Sequence, residues 1–230
     1  MIPEYAAIYR DLYERHWWWR AREAMLLEEI ERHRPAEGWR RILDVGCGDG
    51  LFFSRLEQLG EVWGVESDAT LVPADSRHRS RIHVGPFDAG YPPGRRFDLV
   101  LMLDVLEHLA DPVGALRRAA ELFEPGGRLL ITVPAFQVLW TTHDDLNLHF
   151  VRYRQRTLNA VAERAGLRVL SQRYFFHWLF PVKLGVRALE QLGYRVHSPA
   201  AIPQPTLNGL LLRLSRAEQA TVGRLGLPFG

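Results

Sequence analysis

At 230 residues the chain is long enough for one sizeable core but hardly for two full domains, and 47% hydrophobic with 24% charged residues is an ordinary globular composition. A formal net charge of +2 without a dense basic run makes nucleic acid an unexpected partner; the single cysteine, Cys47, excludes an intrachain disulfide framework and a cysteine-based metal site. The start, Met-Ile-Pro-Glu-Tyr, lacks the basic and apolar regions of a secretion signal, and the most apolar later stretch, Phe175 to Val186, is shorter than the roughly 20 residues that span a bilayer. The chain therefore reads as cytoplasmic, with room for contact with a membrane surface.

In chain order, Tyr5, Ile8, Tyr9, Leu12, Tyr13 and His16 fall on one face of an amphipathic helix, and a second helix is predicted over Ala21 to Arg32, ending before Pro35. Between them stands His16-Trp17-Trp18-Trp19-Arg20-Ala21-Arg22. Three consecutive tryptophans cannot all face one core, so this stretch either staples the helical pair to the domain or covers a cleft as a lid.

Arg41 to Phe53 reads as an apolar strand, a glycine turn and the start of a helix. Ile42, Leu43 and Val45 suit a strand buried on both faces, and Phe52, Phe53, Leu56 and Leu59 recur at helical spacing up to Gly60. Gly46, Gly48 and Gly50 remove side-chain bulk at alternate positions, letting the backbone take positive φ and approach a ligand. Ligands of open α/β sheets sit at the carboxyl ends of strands, where this turn belongs. A tight connection that binds nothing can carry the same glycines. The dinucleotide fingerprint G-x-G-x-x-G is not met, because Gly50 stands two after Gly48 and Leu51 follows.

The second strand is predicted over Glu61 to Glu66. Its last residue is an acid about 20 residues beyond Gly46, where a carboxylate can accept hydrogen bonds from both hydroxyls of a ribose. Asp68 to Arg81 is polar and holds Pro73, so a short or broken helix is expected there. Ile82 to Val84 reads as a third strand, followed by the loop Gly85 to Asp88. The fourth strand, Phe97 to Leu103, is nearly continuously apolar and therefore central. Asp104, Glu107 and His108 follow it directly and are site candidates. Asp111 and Pro112 start a helix that Pro125-Gly126-Gly127 stops, and Arg128 to Val133 is the fifth strand.

From Pro134 to Tyr153 the pattern turns irregular and aromatic, with Trp140, His143, Asp144, Asp145, His149 and Arg152, and a long loop after a sheet strand is often functional. Thr157 can cap a helix from Leu158 to Ala165, and Leu167 to Phe175 is predicted as a sixth strand. The remainder reads as one or two surface helices.

Strand-turn-helix units in this order predict a doubly wound α/β fold with a mostly parallel sheet. The turn D-x-G-x-G-x-G, Glu66, and the segments F-D-L-V-L-M-L-D-V-L-E-H-L and E-P-G-G-R-L-L-I-T-V-P together resemble the class I S-adenosylmethionine (SAM) methyltransferases over about residues 38 to 176. H-W-W-W-R-A-R and H-D-D-L-N-L-H-F-V-R-Y resemble a bacterial branch of that superfamily. The resemblance implies a single domain: a helical lid over 1–37, a Rossmann-like core of six or seven strands over 38–176, and a C-terminal extension over 177–230. It implies that Asp44, Gly46, Cys47 and Gly48 bind the methionine end of SAM, with Leu103 and Asp104 on the same side. Glu66 and Ser67 would take the ribose, and Phe87 and Asp88 the adenine, while Arg22 is placed to reach the cofactor carboxylate. The family's sheet usually closes with an antiparallel seventh strand beside the sixth, a strand that would be expected after Gly230.

The activity so implied is methyl transfer by in-line displacement to a small, partly apolar acceptor, at oxygen, with a non-catalytic SAM sensor or scaffold and a nucleotide-dependent oxidoreductase as the competing readings. A base is required only when the acceptor must lose a proton, and His143, His149 and His108 compete for that role, His143 favoured by its place beside Asp144. No metal is expected, because Asp144, Asp145 and the histidines lack ligand-specific spacing. The expected state is a monomer or homodimer.

Overall fold

The computed structural model describes residues 3–92, 94–194 and 201–230, with the side chains of the first helix from Tyr9 onward. The chain divides into two compact units, one of residues 33–134 and 156–170 and one of residues 1–32, 135–155 and 171–230.

The first unit is built on a parallel sheet. Its strands are β1 (Arg41–Val45), β2 (Glu61–Glu66), β3 (Ile82–Val84), β4 (Phe97–Leu103) and β5 (Phe123–Thr132), in the order β3-β2-β1-β4-β5. All four pairings are parallel. The order reverses beside β1, with β2 on one flank and β4 on the other, and this reversal opens a crevice at the carboxyl ends of the two central strands. Ile42, Leu43, Val62, Val65 and the run from Leu99 to Met102 are buried, as strands covered on both faces require. Between the strands lie α3 (Phe53–Leu56) and α4 (Pro112–Glu121), and α6 (Gln155–Arg164) follows later in the chain. The Asp111 side chain caps α4 by accepting from Gly114 N at 2.9 Å, with proline in the first turn.

The sheet has five strands among the described residues, where six or seven were expected. Residues 167–175 form no strand. Their polar run Ser171-Gln172-Arg173 breaks the alternation, and Val169 and Leu170 are exposed, so no buried face exists to fix a pairing register. The fifth strand begins earlier than predicted, at Phe123: Pro125-Gly126-Gly127 lies inside it as an irregularity in the β4 pairing. The helix after the glycine turn is a single turn, ending at Leu56 instead of reaching Gly60. The polar stretch after β2 forms two isolated 3-10 turns, at Ala69–Leu71 and Arg79–Arg81, in line with the broken helix expected there.

The second unit is helical: α1 (Pro3–Arg15), α2 (Trp17–Arg32), α5 (Thr142–Leu146), α7 (Leu179–Gln191) and α8 (Pro205–Ala220). The three tryptophans lie within the first turn of α2, which starts at Trp17 and not at Ala21. Asn208 of α8 explains the start: its Oδ1 accepts from Trp17 N at 2.9 Å and its Nδ2 donates to Arg15 O at 2.9 Å, satisfying a helix end and a helix beginning at once. α2 packs along α8 around Trp17, Ala21, Phe176 and Leu212, with Trp18 and Trp178 against the cluster. No helix of the described residues is long and apolar enough to cross a membrane.

Candidate active site

The glycine turn follows β1 in the sheet unit. Gly46 N donates to Val65 O at 2.8 Å, holding the turn against β2, and Gly46 and Gly48 have φ of 76° and 56°. A methyl group at Gly46 would lie 2.7 Å from Val105 Cγ2, whereas one at Gly48 would meet nothing within 4 Å. Gly46 is therefore a packing requirement and Gly48 borders open space. Asp44 is buried at the end of β1, and Cys47 is buried beside it. Burial, with Asp44 and Glu66 nearby, pushes the Cys47 thiol well above the ordinary range, so it is an inert group packed against Gly64 of β2.

Glu66 is buried at the end of β2. One carboxylate oxygen accepts from Gly48 N at 2.9 Å and the other from Asp68 N at 2.9 Å, with Ser67 Oγ at 3.5 Å. The acid thus ties the turn to its neighbouring strand end, and Oε2, which accepts from Gly48 N, retains a second lone pair for a hydroxyl donor. On the other flank Asp104, directly after β4, has φ 59°. This costly left-handed conformation is held by Asp104 N donating to Thr132 O at 3.0 Å and by Thr132 Oγ1 donating to Asp104 Oδ1 at 2.8 Å. Leu103 is half-buried beside it. The loop after β3 holds Phe87, packed on Tyr91 with ring centroids 5.6 Å apart, and exposed Asp88, whose Oδ1 accepts from Gly90 N at 2.7 Å. His108 is exposed in the 3-10 turn Leu106–His108.

The helical unit has a second polar centre, built around Asp144 with 0% exposure. Its carboxylate closes a capping box with Thr141, accepting from Thr141 N at 2.9 Å. It also takes a two-pronged contact from Arg152, Nε to Oδ1 at 2.8 Å and Nη2 to Oδ2 at 2.9 Å, and meets His149 Nδ1 at 2.8 Å. Burial alone would raise the Asp144 carboxyl, but the donors from His149, Arg152 and Thr141 outweigh it and hold the group well below the usual carboxylate range. A neutral imidazole that donates Nδ1–H to a carboxylate has Nε2 as its acceptor nitrogen. Trp140 meets the His149 ring edge-on, and its indole nitrogen donates to Asp145 at 2.9 Å.

His143, the sequence neighbour of Asp144, is exposed and bonded to Asn147. The partner of Asp144 is the histidine five residues on. Leu148, with φ 56°, takes the left-handed position that ends α5, His149 N donates back to Asp144 O at 3.0 Å, and this turn brings the imidazole onto the carboxylate. A glycine at the turn would have been the signal; leucine hid it. The signal the sequence does carry is the T-x-x-D capping pattern of Thr141 and Asp144. Arg22 lies buried in the helical unit over the rings of Trp18 and Trp19, at 5.7 and 5.8 Å from their centroids.

Residues 17–172 match the family model described as a methyltransferase domain. The chain is 36% identical over 103 residues to the ubiquinone biosynthesis O-methyltransferase of Cereibacter sphaeroides, covering 42% of this chain and 41% of that one. It is 31% identical over 153 residues to the enzyme of the same name from Chelativorans sp., covering 64% and 51%. The chain thus spans about half, or less, of the length of these curated relatives. Among solved structures it resembles the putative methyltransferase of Haloferax volcanii complexed with the Trm112 activator, with TM-score 0.55, 20% identity and coverage of 73% and 76%. It also resembles YcgJ of Bacillus subtilis, with TM-score 0.52, 19% identity and coverage of 72% and 76%. The parallel sheet with its glycine turn and the family match over most of the chain give one conclusion: the chain belongs to the class I SAM-dependent methyltransferases.

Proposed function

We propose that the protein methylates a hydroxyl oxygen of a small, partly apolar acceptor, with His149 as the base. The observation that carries this reading is the Asp144–His149 contact at 2.8 Å: a buried carboxylate on Nδ1 leaves Nε2 basic and stabilises the imidazolium formed when a proton arrives. The relatives named as O-methyltransferases support oxygen as the attacking atom. His143 is exposed and bonded to Asn147, and His108 is exposed in the 3-10 turn after β4.

The residues of the glycine turn fit the methyl donor. Gly48 borders open space that any side chain would enter, and Glu66 Oε2 has a lone pair left for a ribose hydroxyl. On this reading Asp44, Gly46, Cys47 and Gly48 hold the methionine end with Leu103 and Asp104, Glu66 and Ser67 the ribose, and Phe87 and Asp88 the adenine. Bound SAM supplies a methyl group on a positively charged sulfur, displaced in line by the acceptor oxygen. The chain's own share is orientation, exclusion of water and removal of one proton.

Labelled SAM incubated with a panel of hydroxyl-, amine- and thiol-bearing acceptors tests the proposal. Label in a methyl ether, lost in His149→Ala, is the expected result. Transfer to amines alone, or transfer to a hydroxyl that survives His149→Ala undiminished, overturns it.

A further inference from the structure

One histidine of the sheet unit takes no part in the proposed reaction, yet it lies against the far end of the glycine turn. His78 precedes the 3-10 turn Arg79–Arg81 and is 5% exposed. A methyl group at Gly50 would stand 3.0 Å from His78 Cδ2, and the Phe53 ring at the start of α3 lies 4.9 Å from the imidazole, centroid to centroid. Gly50, with φ 84°, accepts from Phe53 N through its carbonyl at 3.0 Å. Imidazole, phenyl ring and the last glycine of the turn therefore form one packed contact, and the turn cannot shift at Gly50 without displacing His78 or opening a gap beside it.

The polar edges of the ring are set between two guanidinium groups. Arg77 Nε donates to His78 Nε2 at 2.7 Å, and Arg81 Nη2 lies 2.9 Å from Nδ1. Arginine only donates, and a neutral imidazole has a single acceptor nitrogen, so a ring that takes the Arg77 donor at Nε2 carries its proton on Nδ1. On that side Glu57 Oε1, itself paired with Arg81, is 3.8 Å away. A protonated ring has no acceptor at all. It loses the Arg77 bond and becomes a third positive charge among Arg77 and Arg81, with Glu57 and Asp49 as the acids that act on it. Burial first, then the Arg77 charge, hold His78 below the ordinary histidine range against the pull of Glu57. A charged ring is relieved by leaving for water, and its exit strips Gly50 and Phe53 of the surface they pack on.

We infer that His78 is a positioning residue for the donor turn: its neutral ring braces Gly50 and Phe53 for the methyl donor, and its protonation releases them. The protein's hold on SAM is therefore acid-sensitive close to neutral pH. The donor binds the form with the neutral ring, so affinity is full above the ordinary histidine value of about 6.5 and falls below it, by at most about tenfold per pH unit for a single proton. By reciprocity, a bound donor or its product draws the titration of His78 lower still. This window lies above the one in which the Asp144 carboxyl titrates, so the two sites respond to acid separately. This inference rests on the assignment of the glycine turn to the methyl donor above.

The test is calorimetric titration of the whole protein with S-adenosylhomocysteine from about pH 8 to about pH 5, with far-UV circular dichroism followed over the same range. The expected result is a fall in affinity of about tenfold below about pH 6.5 while the circular dichroism signal holds. His78→Ala, which removes the brace, weakens binding about 3- to 10-fold already at the alkaline end, the worth of an aromatic contact. His78→Gln keeps an acceptor for Arg77 and takes no proton, so it restores part of that loss and shows no acid fall. The imidazole C2–H resonance that is absent from His78→Gln titrates lower with S-adenosylhomocysteine bound than without it. The inference is overturned if the parent shows no acid fall, if His78→Gln falls as deeply as the parent, or if the fall tracks loss of the circular dichroism signal. Unchanged affinity in both Glu66→Ala and Gly48→Ala takes the turn out of the donor site and this inference with it. An acid fall that survives His78→Gln while those two variants weaken binding removes His78 alone and leaves the donor assignment standing.

Discussion

The glycine turn after β1 and the Asp144 centre are both polar sites beside apolar cores, yet they are held by different forces. The turn is fixed by backbone: positive φ at Gly46 and Gly48, main-chain bonds to β2, and one carboxylate accepting from two N–H groups. The Asp144 centre is fixed by charge: one buried carboxylate against an arginine, an imidazole and a helix cap. The difference separates their weaknesses. The turn is sensitive to added bulk and leans on the single carboxylate of Glu66, whereas the Asp144 centre depends throughout on the charge of its members.

The largest expected effect is therefore on the charge side. His149→Ala lowers methyl transfer by about 10²- to 10⁴-fold, the usual worth of a positioned base, with SAM affinity unchanged in calorimetry. A rate within threefold of the parent would remove His149 from the reaction. His143→Ala, on the same α5 turn but bonded to Asn147, serves as the contrast and should cost little by comparison.

Next comes Asp144→Asn, which leaves Arg152 and the cap without their carboxylate. Breaking one side of a buried pair costs about 3–5 kcal/mol, read as a fall in the denaturant midpoint. The pH dependence follows from the same group. Its folded carboxyl titrates below its unfolded value, so its contribution is fully present above about pH 4 and is lost as pH falls further toward the folded value. Parent protein should lose stability on that acid side more steeply than Asp144→Asn. Parallel acid limbs would show that the carboxylate is not held by its partners.

The two regions were also unequally legible. The turn, Glu66 and Asp104 were readable because strand, glycine and acid follow one another within short stretches, and chain order sets their geometry. The Asp144 centre mixes short-range and distant pieces. Adjacency pointed to His143, but successive residues of a helix point about 100° apart, and only the left-handed Leu148 turns His149 back onto the carboxylate. The start of α2 depends on Asn208, 191 positions away, and the pattern around the tryptophans carries no trace of it. The sixth strand failed for the opposite reason: local propensity suggested it over 167–175, and no buried face was there to fix its register.

On the backbone side, Glu66→Ala removes the acceptor for Gly48 N and, on the proposed reading, for the ribose, and SAM affinity should fall about 10- to 100-fold, the cost of hydrogen bonds to a charged group. Unchanged affinity would take Glu66 out of the donor site and leave it a purely structural tie.

The smallest effects divide the turn itself. Gly48→Ala must adopt φ near 56°, a left-handed conformation costing about 1–2 kcal/mol in stability, while its methyl meets no protein atom within 4 Å. Gly46→Ala pays the same backbone cost at φ 76° and adds a clash with Val105 Cγ2 at 2.7 Å. The pair therefore separates fold from ligand. Gly46→Ala should lose more stability by thermal unfolding, and Gly48→Ala should lose more SAM affinity for each kcal/mol of stability, because its methyl enters the space assigned to the donor. Equal ratios of affinity loss to stability loss in the two variants would mean that the space beside Gly48 receives no ligand.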